Sequence, residues 1–142
     1  MGRTMRRFTA VVAVGAIAFV LSGCSDPGAD MVGPTWQWTH LNENHPKSQS
    51  VIPDPENYTL TLADDGTFTA KADCNQVSGT YDLQGDSLTI TPGPSTRAAC
   101  GADSLDQQFV SLLHAVSNFT LDGSDLTLGL AADAGDMGFV QA

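Results

Sequence analysis

The sequence predicts a β-rich domain built mainly of antiparallel hairpins, with one amphipathic helix packed on the sheet. Several stretches alternate apolar and polar residues with the period of two that is typical of half-buried strands. One later stretch instead places its apolar residues at helical spacing. A single helix is therefore expected to interrupt a series of strands.

The clearest hairpin is predicted between residues 58 and 72. Apolar residues alternate with threonine over 58–62, and a second alternating run covers 67–72. Between them, Asp65-Gly66 offers the positive φ angles that a tight turn requires. We expect the two runs to pair antiparallel, with one apolar face and one threonine-rich face.

Two further hairpins are predicted by a pair of similar decapeptides. The segments "YDLQGDSLTI" from Tyr81 and "FTLDGSDLTL" from Phe119 both place leucines on either side of a glycine turn. Internal duplication is the alternative, but the similarity does not extend beyond these ten residues. Four leucines are expected to enter the core: Leu83, Leu88, Leu121 and Leu126.

The helix is predicted between these two hairpins. Ser104 and Gln107 form a capping-box pattern at its start. Its apolar stripe is expected to pack on the sheet and consists of Leu105, Phe109, Leu112, Leu113 and Val116. His114 lies off this stripe, so a solvent-exposed role is expected for it rather than one as a catalytic base.

The ends of the domain are predicted to be strands. Trp36 and Trp38 alternate with polar residues in a first strand, and Met137 and Phe139 indicate a short last strand that closes the structure. We interpret both tryptophans as core residues, with a ligand-stacking role as the alternative. Residues 42–56 are polar and contain three prolines, which predicts a long loop.

Residues 1–23 are typical of an export signal. A basic start, an apolar run of about a dozen residues and "LSGC" follow one another, and this run is shorter than the roughly 20 residues that a spanning helix needs. "LSGC" resembles a lipoprotein lipobox, so we expect cleavage before Cys24 and lipid attachment to its sulfur. A spanning helix or an ordinary secretory signal are the alternatives. Residues 24–33 are then predicted to be a flexible tether, and residues 34–142 the folded domain.

The predicted mature domain of about 120 residues is long enough for one core and strongly acidic. The whole chain has a formal net charge of -10, and removing residues 1–23 leaves only Lys47, Lys71 and Arg97 as lysines and arginines. Such a charge argues against nucleic-acid binding and favours solubility or basic partners. We expect a monomer anchored to the cell membrane or the outer membrane on its extracytoplasmic side.

Two cysteines, Cys74 and Cys100, remain once Cys24 is assigned to lipid. An even count in an oxidising compartment predicts a disulfide, which would contribute roughly 3 kcal/mol by closing a loop of about 25 residues. A catalytic thiol activated by His40, His45 or His114 is the main alternative, but no spacing supports it. The sequence also lacks the close Cys and His pairs of a zinc site. We therefore predict no catalytic residue.

No cofactor or metal is predicted either. The aspartate pairs near residues 122–125 and 133–136 lack the ligand alternation and late glutamate of a calcium loop, so we interpret them as turn residues. Nucleophile-elbow, P-loop and Rossmann glycine patterns do not occur.

A family resemblance emerges when the short motifs are taken together. The stretch "DGTFTAKADCNQVSGTYDLQGDSLTI", then "STRAAC", "FVSLL" and "FTLDGSDLTL", with a tryptophan near the start, resembles the META domain, also called the HslJ-like family, of bacterial envelope proteins. The resemblance covers about residues 34–142. Asp73 departs from the family pattern, which has glycine there, and Ala98-Ala99 replaces the usual residues before Cys100.

The resemblance implies a barrel-like fold with a helix packed across it and a role in envelope or stress physiology, without an established catalytic activity. It also draws attention to Asn75 and Arg97, for which a structural role and a binding role both stay open. We expect a lipid-anchored, non-enzymatic domain that binds a partner protein or a small ligand. The alternative is an inhibitor of a basic enzyme such as lysozyme.

Overall fold

The computed structural model describes Gly23 and residues 25–142. The predicted signal peptide up to Ser22 and the predicted lipid attachment residue Cys24 lie outside the described residues. Within that part of the chain there are nine strands and one α-helix. Their bounds are β1 Thr35–Asn44, β2 Lys47–Val51, β3 Tyr58–Leu62, β4 Thr67–Ala72, β5 Asn75–Gln84, β6 Ser87–Ser95, α1 Asp106–His114, β7 Val116–Asp122, β8 Asp125–Leu130 and β9 Gly135–Gln141.

Eight of these strands form a closed antiparallel barrel. The strand order is β2-β1-β3-β4-β5-β6-β7-β8-β9, and β1 also pairs with β9, which closes the ring. β2 stands outside the barrel and pairs only with the second half of β1. The predicted β-rich, barrel-like fold with one packed helix is confirmed.

The three predicted hairpins are present in the expected register. Residues 58–62 pair with residues 68–72 in β3 and β4, and the two decapeptides form β5–β6 and β7–β8. Leu88 and Leu126 are fully buried. Their cross-strand partners Leu83 and Leu121 lie at the rim of the barrel and are only half-buried, so the predicted burial of all four leucines is half right.

The barrel has two different ends. The turns β3–β4, β5–β6 and β7–β8 lie at one end, together with the start of β1 and the end of β9, and we call it the turn end. The β4–β5 turn, helix α1 and the β8–β9 connection lie at the other end, which we call the helix end.

A short N-terminal segment closes the turn end. Residues 29–31 form a turn of 3-10 helix, and Met31 is fully buried. The Trp36 indole N–H donates to the Met31 carbonyl over 2.9 Å, and the Gly33 N–H donates to the Leu62 carbonyl over 2.9 Å. The fold therefore begins before Pro34, the predicted boundary, because the apolar Met31 is a core residue within an otherwise polar stretch.

Helix α1 closes the opposite end with an aromatic cluster. Phe109 is fully buried, and its ring stacks on Trp38 at a centroid distance of 5.3 Å. Tyr58 meets both rings edge-on, at 5.8 Å from Phe109 and 5.9 Å from Trp38. Trp38 and Trp36 are thus core residues, and each indole N–H already has a carbonyl partner. Neither ring is on a binding surface.

The predicted helix is shifted at both ends. Val116 begins β7 instead of ending the helix, and the buried helical residues are Phe109 and Leu113. At the start, the Asp106 N–H donates to the Ser104 hydroxyl over 3.2 Å, while Gln107 is exposed. The expected Ser104–Gln107 capping box is therefore wrong, because the helix begins two residues after Ser104 rather than one.

The predicted long loop over residues 42–56 is largely a hairpin. β1 continues to Asn44, and β2 pairs with it from Lys47 to Val51. The prolines fall outside the strands: Pro46 is in the turn, and Pro53 and Pro55 follow β2. Every side chain of β2 is exposed, so this edge strand has no apolar alternation by which its sequence could be recognised.

Candidate functional site

The barrel wall is weakest between β6 and β7. Only one residue pair, Ser87 with Asn118, joins these two strands. Pro92 and Pro94 lie in the second half of β6 and have no backbone N–H, so this half is poorly suited to hydrogen bonding on two sides. Beyond Ser87 the strands separate, and α1 packs beside β6.

A groove of about 680 Å³ lies at the helix end, between α1 and the adjoining ends of β4, β5 and β6. Its floor comes from the end of β4 and the start of β5, one wall from residues 95–99 at and after the end of β6, and the other wall from α1. The lining residues are Ala72, Asn75 and Val77 on the floor, Ser95, Thr96, Arg97, Ala98 and Ala99 in the segment wall, and Asp106, Gln107, Val110 and Ser111 in the helix wall.

Asn75 holds the two walls together. The residue is 5% exposed, and its Oδ1 accepts from the Ala98 N–H over 2.8 Å and from the Thr96 hydroxyl over 3.0 Å. Its Nδ2 lies 3.0 Å from the Ala98 carbonyl and 3.1 Å from Asp106 Oδ2, and both can accept its N–H groups. The amide is fully engaged inside the protein, which corresponds to the structural role considered for it.

The disulfide adds a covalent tie at the same place. Cys74 and Cys100 are bonded, with their Cα atoms 5.5 Å apart, as predicted. Cys100 Sγ also lies 3.2 Å from Asn75 Nδ2. The covalent tie and the Asn75 hydrogen bonds therefore fix the segment 96–100 to the start of β5, and in this bonded form neither residue offers a free thiol.

The geometry accommodates the departures from the family pattern at Asp73 and Ala98. Asp73 has φ +58, in the left-handed region that glycine adopts without steric cost, so an aspartate there is tolerated at some cost. Ala98 is held through its backbone N–H and carbonyl, and its side chain is exposed. Replacement of the usual residue at 98 therefore leaves the framework intact.

Arg97 is exposed and lies in the segment wall. It is the one lysine or arginine among the residues that line the groove. The structure thus brings together Asn75 and Arg97 of the predicted site and places Trp36 and Trp38 elsewhere. Sequence analysis missed the helix wall, Gln107, Val110 and Ser111, because no sequence pattern indicates which side of α1 would face the segment after β6.

Two features are absent from the part of the chain that the structure describes, a metal-binding cluster and a membrane-spanning helix. No group of three His, Cys, Asp or Glu side chains is placed to hold a metal ion within it. None of its helices is long and apolar enough to span a bilayer. His114, one of the candidate bases for a catalytic thiol, is exposed and is not among the groove-lining residues.

Solved structures share this fold, and a family model matches the sequence. The NMR structure of a protein from Burkholderia xenovorans superposes with a TM-score of 0.66 at 18% identity, covering 97% of this chain and 99% of that chain. A DUF4847 family protein from Bacteroides vulgatus gives a TM-score of 0.57 at 15% identity, over 80% of this chain and 95% of its own. A comparison with curated proteins finds no match. Residues 29–142 match the META domain, so the chain belongs to the META domain family.

Proposed function

We propose that this chain is a lipid-anchored, non-enzymatic binding module of the bacterial cell envelope, whose groove at the helix end takes a small ligand or part of a partner protein. It would act in envelope or stress physiology. The observation that carries this proposal is the double fixation of the groove wall by the Cys74–Cys100 disulfide and the Asn75 side chain.

A fixed wall favours binding for an entropic reason. A loop that must become ordered on binding costs free energy, whereas a loop already held in place does not. Segment 96–100 is exposed over most of its length and yet tied at Thr96, Ala98 and Cys100. The groove volume of about 680 Å³ also lies within the range of roughly 300–1,000 Å³ that is common for small-molecule sites.

The lining residues support binding rather than catalysis. Neither a histidine nor a cysteine is among them. The carboxylate of Asp106 is already bonded on both oxygens, to the Ser104 hydroxyl and to Asn75 Nδ2. A general acid or base would need a titratable group free to reach a substrate, and Asp106 is poorly placed for that role.

The position of the N-terminal segment supports an anchored orientation. Gly28 is buried beside Leu83 at the turn end, four residues after the predicted lipid attachment at Cys24. A lipid on Cys24 would therefore hold the turn end toward the membrane. The groove, at the opposite end of the barrel, would face away from the bilayer and stay accessible to partners.

Binding through the groove is tested by blocking it. Ser111→Trp places a large side chain on the helix wall, while Gln108→Trp places the same side chain at an exposed position of α1 that is not among the groove-lining residues. After mild cross-linking in intact cells, we expect Ser111→Trp alone to lose the partner or ligand adduct that wild type forms. Equal adduct yields from both variants would contradict the proposal.

Anchoring needs a separate test. Mass analysis of the mature protein should show Cys24 at the N-terminus with a diacylglyceryl thioether, and the protein should fractionate with membranes. Cys24→Ser should release it into the soluble fraction. Membrane association that persists in Cys24→Ser, or cleavage at another residue, would contradict a lipid anchor.

The enzyme inhibitor function is the second candidate, because the β1–β2 hairpin stands outside the barrel. β2 is exposed throughout, and Val51 is 82% exposed, as expected of an element that reaches into another protein. This proposal predicts that a shortened hairpin, or high salt, relieves inhibition of lysozyme by the purified domain. Lysozyme activity that the domain leaves unchanged at low salt would exclude it for that enzyme.

A further inference from the structure

The charges that line the groove balance, one arginine and one aspartate, whereas the whole chain is strongly acidic. The chain carries a formal net charge of -10, yet Arg97 is exposed in the segment wall. The carboxylate of Asp106, in the opposite wall, is engaged by Ser104 and Asn75. The groove therefore offers one available cation and no uncommitted carboxylate of its own.

The floor has a different character from the walls. Ala72 and Val77 are buried core residues that reach the groove surface, and Val110 on α1 is half-buried beside them. Apart from Asn75, whose amide is engaged within the protein, the floor is therefore apolar. Ser95, Gln107 and Ser111 line the edges with hydroxyl and amide groups.

We infer that the groove binds a carboxylate carried on a short apolar body, with Arg97 as the partner of the carboxylate. Arginine presents a fork of N–H donors that matches a carboxylate group. The apolar body would lie over Ala72, Val77 and Val110, and the carboxylate would lie on the Arg97 side, away from Asp106. This inference rests on the proposed binding function of the groove and adds the class of ligand.

Two sources share this chemistry, a free organic acid and the C-terminal end of an apolar peptide. Four probes separate them: octanoic acid and octanamide, and N-acetyl-Val-Ala-Val as the free acid and as the C-terminal amide. Each is titrated at millimolar concentration into the 15N-labelled domain, residues 25–142, with its disulfide formed. The chemical-shift changes of the protein's backbone N–H groups show where each probe binds and with what affinity.

We expect at least one acid to shift the backbone N–H resonances of Val77, Ser111 and their neighbours. The matching amide probe should bind with about tenfold lower affinity, as the loss of a charge-assisted hydrogen bond predicts. Added salt should weaken only the acid. Arg97→Gln should bring the acid to the affinity of the amide. Lys47→Gln, which removes the same charge from the hairpin outside the groove, should have no effect.

The outcomes separate this inference from the proposed function. If an acid and its amide bind the groove equally, the carboxylate inference fails and the binding function stands. If no probe shifts a groove residue, the inference also fails, and the Ser111→Trp cross-linking comparison decides the binding function independently. If the shifts fall at the turn end, the groove is not the site and both fail. The acid that binds more tightly identifies the source.

Discussion

The two ends of the barrel are closed in different ways. At the turn end, three hairpin turns and the segment before β1 close the barrel through apolar packing and backbone hydrogen bonds, such as that from the Gly33 N–H to the Leu62 carbonyl. At the helix end, a buried side-chain amide and a covalent bond join the segments: Asn75 bonds to Ala98 and to Asp106, and the disulfide spans 26 residues. The segments joined in this way leave a groove where they meet.

The two ends also differ in their charges. In the described part of the chain, every lysine and arginine lies at the helix end: Lys47, Lys71 and Arg97. The helix end carries carboxylates as well, whereas the turns at the opposite end carry carboxylates alone: Asp64, Asp65, Asp82, Asp86, Asp122 and Asp125. Under the proposed function, the mixed charge of the helix end serves recognition, and the uniformly acidic turn end serves solubility.

The largest effect on stability is expected from removing the Phe109 ring from the aromatic cluster at the helix end. Phe109→Ala should lower the free energy of unfolding by about 3–5 kcal/mol, because it leaves a cavity against Trp38 and Tyr58. Met31→Ala is the matched change at the turn end and should cost about 2–4 kcal/mol. Urea unfolding measures both. A loss of unfolding free energy below about 1 kcal/mol for Met31→Ala would show that Met31 does not contribute to the core, as the predicted flexible tether up to residue 33 requires.

Breaking the disulfide should affect one end selectively. The double change Cys74→Ser and Cys100→Ser should cost roughly 3 kcal/mol, since it releases the closed loop in the unfolded chain. In the native state, hydrogen exchange should accelerate over residues 95–103. The amides of the three hairpin turns at the opposite end should exchange at the wild-type rate. Uniform acceleration at both ends would show that the helix end is not a separate unit.

A smaller effect is expected at the β4–β5 turn, where Asp73 has a positive φ. Asp73→Gly should raise the free energy of unfolding by about 0.5–1 kcal/mol, because glycine adopts this conformation without a clash. Asp73→Ala, which keeps a Cβ and lacks the local hydrogen bonding of aspartate, should lower it. Destabilisation by Asp73→Gly would mean that the aspartate side chain contributes more than the strain costs.

The smallest expected effect is a pH dependence at the turn end. Burial, with help from Asp65 and Asp64, raises the pKa of Tyr81 above its ordinary value near 10, and the Tyr81 hydroxyl donates to the Ala63 carbonyl. A raised pKa in the folded state gives stability that is present below pH 10 and is lost as pH rises through that pKa. The alkaline loss of stability should therefore be smaller in Tyr81→Phe. If the free energy of unfolding falls equally with rising pH in wild type and in Tyr81→Phe, this prediction is wrong.

The sequence indicated the local elements more fully than the groove. Period-two alternation predicted β3, β4 and the repeated hairpins because each side chain of a half-buried strand reports its own burial. β2 was missed because it is exposed on both faces, and Met31 because one apolar residue has no period. Asn75 and Arg97 were singled out by resemblance. The contacts of Asn75 to Ala98 and Asp106 depend on how α1 packs, which no local pattern encodes.

We propose that recognition takes place at the helix end. Hydrogen exchange of the protein in isolated envelope membranes, compared with that of the purified domain, tests this claim. We predict slower exchange in the envelope over residues 95–99 and over 106–111, the two walls of the groove, and unchanged exchange in the three turns of the opposite end. Protection of those turns with unprotected groove walls would contradict the claim.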